Sequence, residues 1–145
     1  MTFDNILVIC TGNICRSPLG ERLLRNKLPA KVINSAGTSA MVDHPADRSA
    51  IKVAEDNGIS LEGHKGKQLT REMIRRHELI LVMEQYHIEH ITKLYPESRG
   101  KILLYGHWIN QKEIPDPYRK SEEAFISVFK MLELAAEEWT AKLGV

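Results

Sequence analysis

The chain carries almost no net charge, no long apolar run and only two cysteines among its 145 residues. Each scarcity excludes something. A formal charge of +1, from 20 Lys and Arg against 19 Asp and Glu, leaves no basic footprint for nucleic acid or an anionic membrane surface. No segment reaches the ~20 apolar residues that a bilayer-spanning helix needs. The first residues, MTFDNILVICTG, hold an acidic residue and too short an apolar run for a secretory signal. Two cysteines build neither a disulfide framework nor a four-ligand structural zinc site. The expected setting is the cytoplasm, where thiols stay reduced, with no metal and no insertion into a membrane. What is present, 43% hydrophobic and 27% charged residues, is ordinary for a globular protein. The length predicts one domain over residues 1–145 with a proper core.

Short apolar runs alternate with helical patterns. Asn5–Cys10 (NILVIC) is a continuous β-branched run, as expected of a strand buried on both faces. Pro18–Leu28 predicts a helix with Ser17 as N-cap and Pro18 at its first position. Lys31–Ser35 predicts a second strand, and Ala46–Asn57 a helix stopped by Gly58. A third helix follows Thr70, Leu79–Met83 is a third strand, and a helix runs from Gln85 to Leu94. Lys101–Tyr105 is the fourth strand. A long final helix follows Ser121, with Phe125, Val128, Phe129, Leu132, Ala136, Trp139 and Leu143 on one stripe. The alternation predicts an α/β fold: a single doubly wound domain, its four-stranded parallel sheet flanked by helices. In that architecture the loops after the strands share one sheet edge, where ligands bind.

Both cysteines fall in one stretch, VICTGNICRSP, Val8 to Pro18. The loop Cys10–Ser17 joins the first strand to the first helix. Gly12, and Asn13 with its tolerance of left-handed φ, let the backbone amides curl into an anion nest, and the helix that follows adds its positive end. Neither nucleotide fingerprint, G-x-x-x-x-G-K-[ST] or G-x-G-x-x-G, is present. A thiol at the mouth of such a nest, with Arg16 six residues later, is expected to have its pKa lowered into the range of roughly 3.5–7.5. Arg16 offers a planar fork for two phosphate oxygens. The pattern therefore points to Cys10 as a nucleophile toward phosphorus, giving a phosphocysteine that water hydrolyses. Ser17 is placed to hydrogen-bond the thiolate. Asp116, between Pro115 and Pro117 after the fourth strand, emerges at the same edge and can protonate a leaving oxygen. A buried structural Cys10 and a simple turn Asp116 are the plainer alternatives.

C-T-G-N-I-C-R-S-P resembles the active-site loop of the low-molecular-weight protein tyrosine phosphatases, and the similarity extends through Ser35–Gly37, Ile114–Tyr118 and Arg119–Ser121. The segment Leu104–Ser121 is similar to bacterial members linked to capsule and exopolysaccharide export. The resemblance implies the phosphotyrosine phosphatase I fold and catalysis without metal or other cofactor. It assigns Cys10 as nucleophile, Arg16 as phosphate clamp and Asp116 as general acid. Thr11, Gly12, Asn13, Ile14, Cys15 and Ser17 complete the phosphate loop, and Met41 and Tyr118 are candidates for the substrate cleft. It also implies a phosphotyrosine protein as partner, a membrane tyrosine autokinase of polysaccharide export. In related enzymes a Cys10–Cys15 type of disulfide protects the nucleophile from over-oxidation; Cys15 packing under the loop is the alternative.

The sequence departs from the better-known eukaryotic relatives at several points. Thr38–His44 holds no Trp or Tyr to wall the cleft, Tyr118 is followed by Arg119 instead of a second tyrosine, and Gly66-Lys67 replaces the usual Ala/Ser-Arg. Thr11 raises a protein-arginine phosphatase as the rival, since related arginine phosphatases carry Thr there. Arsenate reduction would require two further cysteines outside the loop. A non-catalytic phosphate-binding module would be expected to lose Cys10, Arg16 or Asp116. His87 and His90, Arg71, Arg75 and Arg76 are read as solvated helix faces, and Tyr105, His107 and Trp108 as core or rim.

Overall fold

A computed structural model describes residues 3–144. Four parallel strands form one sheet in the order β2-β1-β3-β4: β1 Asn5–Cys10, β2 Val32–Gly37, β3 Leu79–Val82 and β4 Ile102–Leu104. The helices are α1 Arg16–Lys27, α2 Arg48–Asp56, α3 Arg71–Arg76, α4 Gln85–Leu94 and α5 Glu122–Leu143, with a 3-10 turn at Pro96–Ser98. Alternation along β1 divides the core. Ile6, Val8 and Cys10 face α1, α2 and α5, with Leu19, Leu23, Val53, Phe125 and Phe129. Leu7 and Ile9 face the other layer with Ile74 of α3 and Ile91 of α4. Both faces are thus covered, the arrangement a parallel sheet requires.

Chain order reverses between β1 and β3, so a crevice opens beyond their C-terminal ends. Cys10 ends β1 there, opposite Gly37 of β2. A Cβ on Gly37 would lie 2.4 Å from the Thr11 carbonyl oxygen, so the close approach of β2 to the loop requires glycine. Among the described residues no helix is long and apolar enough to cross a membrane.

Several boundaries differ from the expected ones. The first helix begins at Arg16, capped by Cys15 without a side-chain bond, and Ser17 is not its N-cap. The Ser17 hydroxyl is taken by Cys10 and Asn13, and Pro18 is tolerated because first-turn amides lack intrahelical acceptors. The second strand runs on to Gly37 because Leu7–Cys10 pair with Asn34–Gly37. The second helix starts after Asp47, whose carboxylate accepts from Ser49 N, and Gly58 follows its end at φ 74°.

Three histidines are buried in the fold: His64, His77 and His87. Burial lowers the pKa of each, to about 4 for His87. An unfolded chain binds these protons at its ordinary pKa of 6.5 while the folded one refuses them, so stability is whole above that value and falls as pH drops through it. From about pH 7.5 to 5.5, His87 alone should cost about 1.4 kcal/mol of unfolding free energy. The carboxylates with lowered pKa, Glu78 and Glu97, contribute a constant stability throughout this window and lose it only below about pH 4.5, so the change is left to the histidines. Urea denaturation at the two pH values measures the difference; a flat profile would contradict it.

Candidate active site

Asn13 is the hub of the loop. It adopts φ 58°, the left-handed conformation that Asn tolerates, and it is wholly buried. Its Nδ2 donates to Ser17 Oγ (2.7 Å) and Ser35 Oγ (3.0 Å), and its Oδ1 accepts from Lys67 N (2.9 Å). His64 Nε2 donates to its carbonyl at 2.7 Å. The loop after β2 runs alongside: Thr38, Ser39 and Met41 donate their amides to the carbonyls of Cys10, Thr11 and Gly12. The nest is therefore held from three separate stretches of chain.

Cys10 lies at the base of the nest. Its Sγ is 3.0 Å from Ser17 Oγ and receives Ser17 N–H at 3.4 Å. Because Asn13 Nδ2 donates to Ser17 Oγ, the serine proton is free to point at sulfur. Cys15 is buried too, yet differs in character: burial first, then Asp47, Cys10 and Asp116, pushes its thiol up. Cys15 stays a protonated thiol at neutral pH.

Arg16 is the first residue of α1 and 1% exposed. Its Nη1 donates to Glu84 Oε2 (2.6 Å) and to the Ile114 carbonyl (2.8 Å), and its Nη2 lies 3.8 Å from Asp116 Oδ2. Burial works to discharge the guanidinium, but Cys10, Glu84 and Asp116 outweigh it and hold it charged. Its Nε and Nη2 are buried with no hydrogen-bond partner among the described residues. Leaving such donors unpaired is costly, and two N–H groups on one edge match two oxygens of a tetrahedral anion. Arg16 borders a cleft of about 190 Å³ with Cys10, Thr11, Gly12, Ile14, Cys15, Ser39, Met41, Asp116 and Tyr118.

Asp116 is half exposed, its Oδ1 accepting from Tyr118 N at 3.0 Å. Three bonds fix its loop just upstream. Ile114 N donates to the Met83 carbonyl (2.9 Å), Gln85 N donates to Glu113 Oε2 (2.7 Å), and Arg16 reaches the Ile114 carbonyl. The acid loop thus hangs from the start of α4 and from Arg16.

The structure brings together Cys10, Thr11, Gly12, Ile14, Cys15, Arg16, Met41, Asp116 and Tyr118 in one cleft, with Asn13 and Ser17 directly beneath. Sequence reasoning missed His64, Glu84, His87 and Glu113. The reading of His87 as part of a solvated face is wrong: only His90 is exposed, and His87 is wholly buried. His87 Nδ1 accepts from Glu84 N (3.1 Å), and its Nε2 lies 3.0 Å from Thr11 Oγ1. The spacing of His87 with buried Ile91, four residues apart on one helix face, is the signal that would have shown this. Arg71 and Arg76 are exposed and ion-paired with Glu97 and Glu72. Tyr105 is core, its hydroxyl donating to the Gly20 carbonyl at 2.9 Å.

Comparison with known proteins matches residues 5–145 to the family model described as low molecular weight phosphotyrosine protein phosphatase. A putative low molecular weight protein-tyrosine-phosphatase of Klebsiella pneumoniae is 61% identical over 141 residues, covering 97% of this chain and 98% of that one. The crystal structure of the tyrosine phosphatase Wzb from Escherichia coli K30 in complex with sulphate superposes with a TM-score of 0.97 at 61% identity, over 99% of this chain and 100% of the other. The YwlE arginine phosphatase from Geobacillus stearothermophilus shares 31% identity at a TM-score of 0.91, over 97% and 92% of the two chains.

Proposed function

Because the chain belongs to the low molecular weight phosphotyrosine protein phosphatase family, we propose that it hydrolyses phosphotyrosine in proteins through a phosphocysteine formed on Cys10. The observation that carries the reading is the pair of buried Arg16 nitrogens, without a hydrogen-bond partner among the described residues, beside a sulfur that receives the Ser17 N–H and lies 3.0 Å from the Ser17 hydroxyl. Arg16 Nε and Nη2 hold two phosphate oxygens, and the nest amides hold the charge that builds up in the transition state. The Cys10 thiolate attacks phosphorus as the bond to the tyrosine oxygen breaks, and Asp116 gives that oxygen its proton. Asp116, now a carboxylate, takes a proton from water as the water attacks the phosphocysteine. The sulfur–phosphorus bond breaks, Ser17 steadies the departing thiolate, and inorganic phosphate leaves. Met41 and Tyr118 flank the tyrosine ring.

We place this reaction in the cytoplasm, with a membrane tyrosine autokinase of polysaccharide export as the substrate protein; the likeness of Leu104–Ser121 to capsule-type members supports it. The arginine phosphatase reading rests on a threonine, Thr11, lining the cleft next to the nucleophile and on the more distant structural neighbour.

Phosphate release from a phosphotyrosine peptide and from phosphoarginine, with acid quenching and mass analysis of the peptide that carries Cys10, tests the proposal. Phosphate trapped on Cys10 and preferred phosphotyrosine turnover support it; phosphate on another residue, or no turnover, overturns it. Asp116→Asn should lower kcat for phosphotyrosine about 10²-fold. The loss should be much smaller for an aryl phosphate whose phenol is acidic enough to leave unprotonated. Equal losses on both substrates would remove Asp116 from the role of acid.

A further inference from the structure

Two polar side chains of the cleft wall, Thr11 and Ser39, have no role in the proposed chemistry, and Thr11 adjoins the nucleophile. Thr11 follows the nucleophile and lines the cleft, whereas Ile14, Met41 and Tyr118 around it present apolar surface. Its hydroxyl is bonded away from the cleft, to two consecutive residues of α4: it meets Tyr86 Oη and lies 3.0 Å from His87 Nε2.

The direction of these bonds follows from the surroundings. His87 is wholly buried, and burial, with Arg16 next, lowers its pKa to about 4, so the ring is neutral. Its Nδ1 accepts from Glu84 N–H, which leaves the single ring proton on Nε2. Nε2–H therefore donates to Thr11 Oγ1 and takes one of its lone pairs. Tyr86 takes the second lone pair or the hydroxyl proton. The Tyr86 ring lies against the His87 ring, centroids 4.2 Å apart, so both partners are held in place.

Resting on the phosphatase reading, we propose that Tyr86 and His87 set the leaving-group preference of the site by holding the Thr11 hydroxyl on α4. A phosphoguanidine brings several N–H donors into the cleft and needs acceptors there; a phenol ester brings an apolar ring and needs no acceptor, its departing oxygen taking a proton instead. With its hydroxyl engaged, Thr11 offers little to a guanidine, and the cleft suits the aryl phosphate. Tyr86 and His87 are positioning residues: they act through Thr11 and do not touch the reacting atoms.

The experiment measures kcat/KM for a phosphotyrosine peptide and for phosphoarginine in wild type, Tyr86→Phe, and Tyr86→Phe combined with His87→Leu. Release of the hydroxyl should move the ratio toward phosphoarginine by about tenfold, the worth of one recovered hydrogen bond. Adding Thr11→Val to the double variant should cancel that shift. A ratio that stays put while both activities fall together shows only a structural role for the pair and overturns the inference. Nitrogen NMR of the wild-type enzyme gives an independent arm should the double variant not fold. His87 must be the Nε2-protonated tautomer, with its ring signals displaced in Thr11→Val; the Nδ1-protonated tautomer overturns the lock. Wild type inactive on both substrates would instead refute the phosphatase reading, while the NMR result would still judge the lock.

Discussion

Cys10→Ser is expected to abolish turnover, by roughly 10⁴- to 10⁶-fold as for other enzymes that lose their nucleophile, while a phosphotyrosine peptide still binds. The two halves of this outcome separate because different atoms produce them. The phosphate is held by Arg16 and the loop amides, and neither depends on the atom at the end of residue 10. The attack does depend on it. A serine hydroxyl beside Ser17 is a far weaker acid than a thiol, and the donors that steady sulfur in the native site do not ionise an alcohol. Calorimetric titration with the peptide and single-turnover assays of the same preparation test both halves. Cys15→Ser supplies the contrast: the Cys15 thiol is pushed up by burial and stays protonated, so that variant should stay within about tenfold of wild type. If Cys15→Ser were as dead as Cys10→Ser, the division of labour between the thiols would be wrong.

The same contrast explains how far the sequence could be read. Cys10, Arg16 and the left-handed Asn13 lie within one seven-residue curl whose geometry is local, so residue types and spacing suffice to place them. Asp116 was legible for a similar reason, being held between two prolines just past a strand. Strand β1 and helix α4 begin and end where the apolar runs predict. The groups that orient the site reach it through the fold instead. Glu84 meets Arg16 across 68 residues, His64 meets Asn13 across 51, and His87 meets Thr11 across 76. No local pattern encodes such a meeting; it follows from the parallel sheet, which brings the end of β3 beside the end of β1. The misplaced start of α1 has the same origin. Ser17 has the composition of an N-cap, but its hydroxyl is worth more to the site when turned toward sulfur and Asn13 than toward the helix amides.

Arg16→Lys should lower kcat/KM by on the order of 10³-fold even though the charge is kept. The native guanidinium divides its donors by direction. Nη1 faces protein, bonding Glu84 and the Ile114 carbonyl, while Nε and Nη2 make no hydrogen bond among the described residues, Nη2 having only the Asp116 carboxylate at 3.8 Å. A lysine ammonium gathers its three donors at one point on a chain with no rigid fork, so it cannot serve both sides at once. If it turns to Glu84 and Ile114, the phosphate loses its two parallel bonds. If it turns to the phosphate, Glu84 and the Ile114 carbonyl lose their partner, and the loop that carries Asp116 loses one of its three anchors. Either choice damages catalysis, and the second also damages the acid. The kinetic signature should therefore be a fall in kcat as well as a rise in KM, together with a lowered melting temperature from the disturbed buried pair. Added guanidinium should restore part of the activity of Arg16→Ala, since the planar fork can be supplied from solution to a site shaped for it. A lysine variant within tenfold of wild type would show that charge alone suffices, and that the unpartnered edge of Arg16 is not what holds the phosphate.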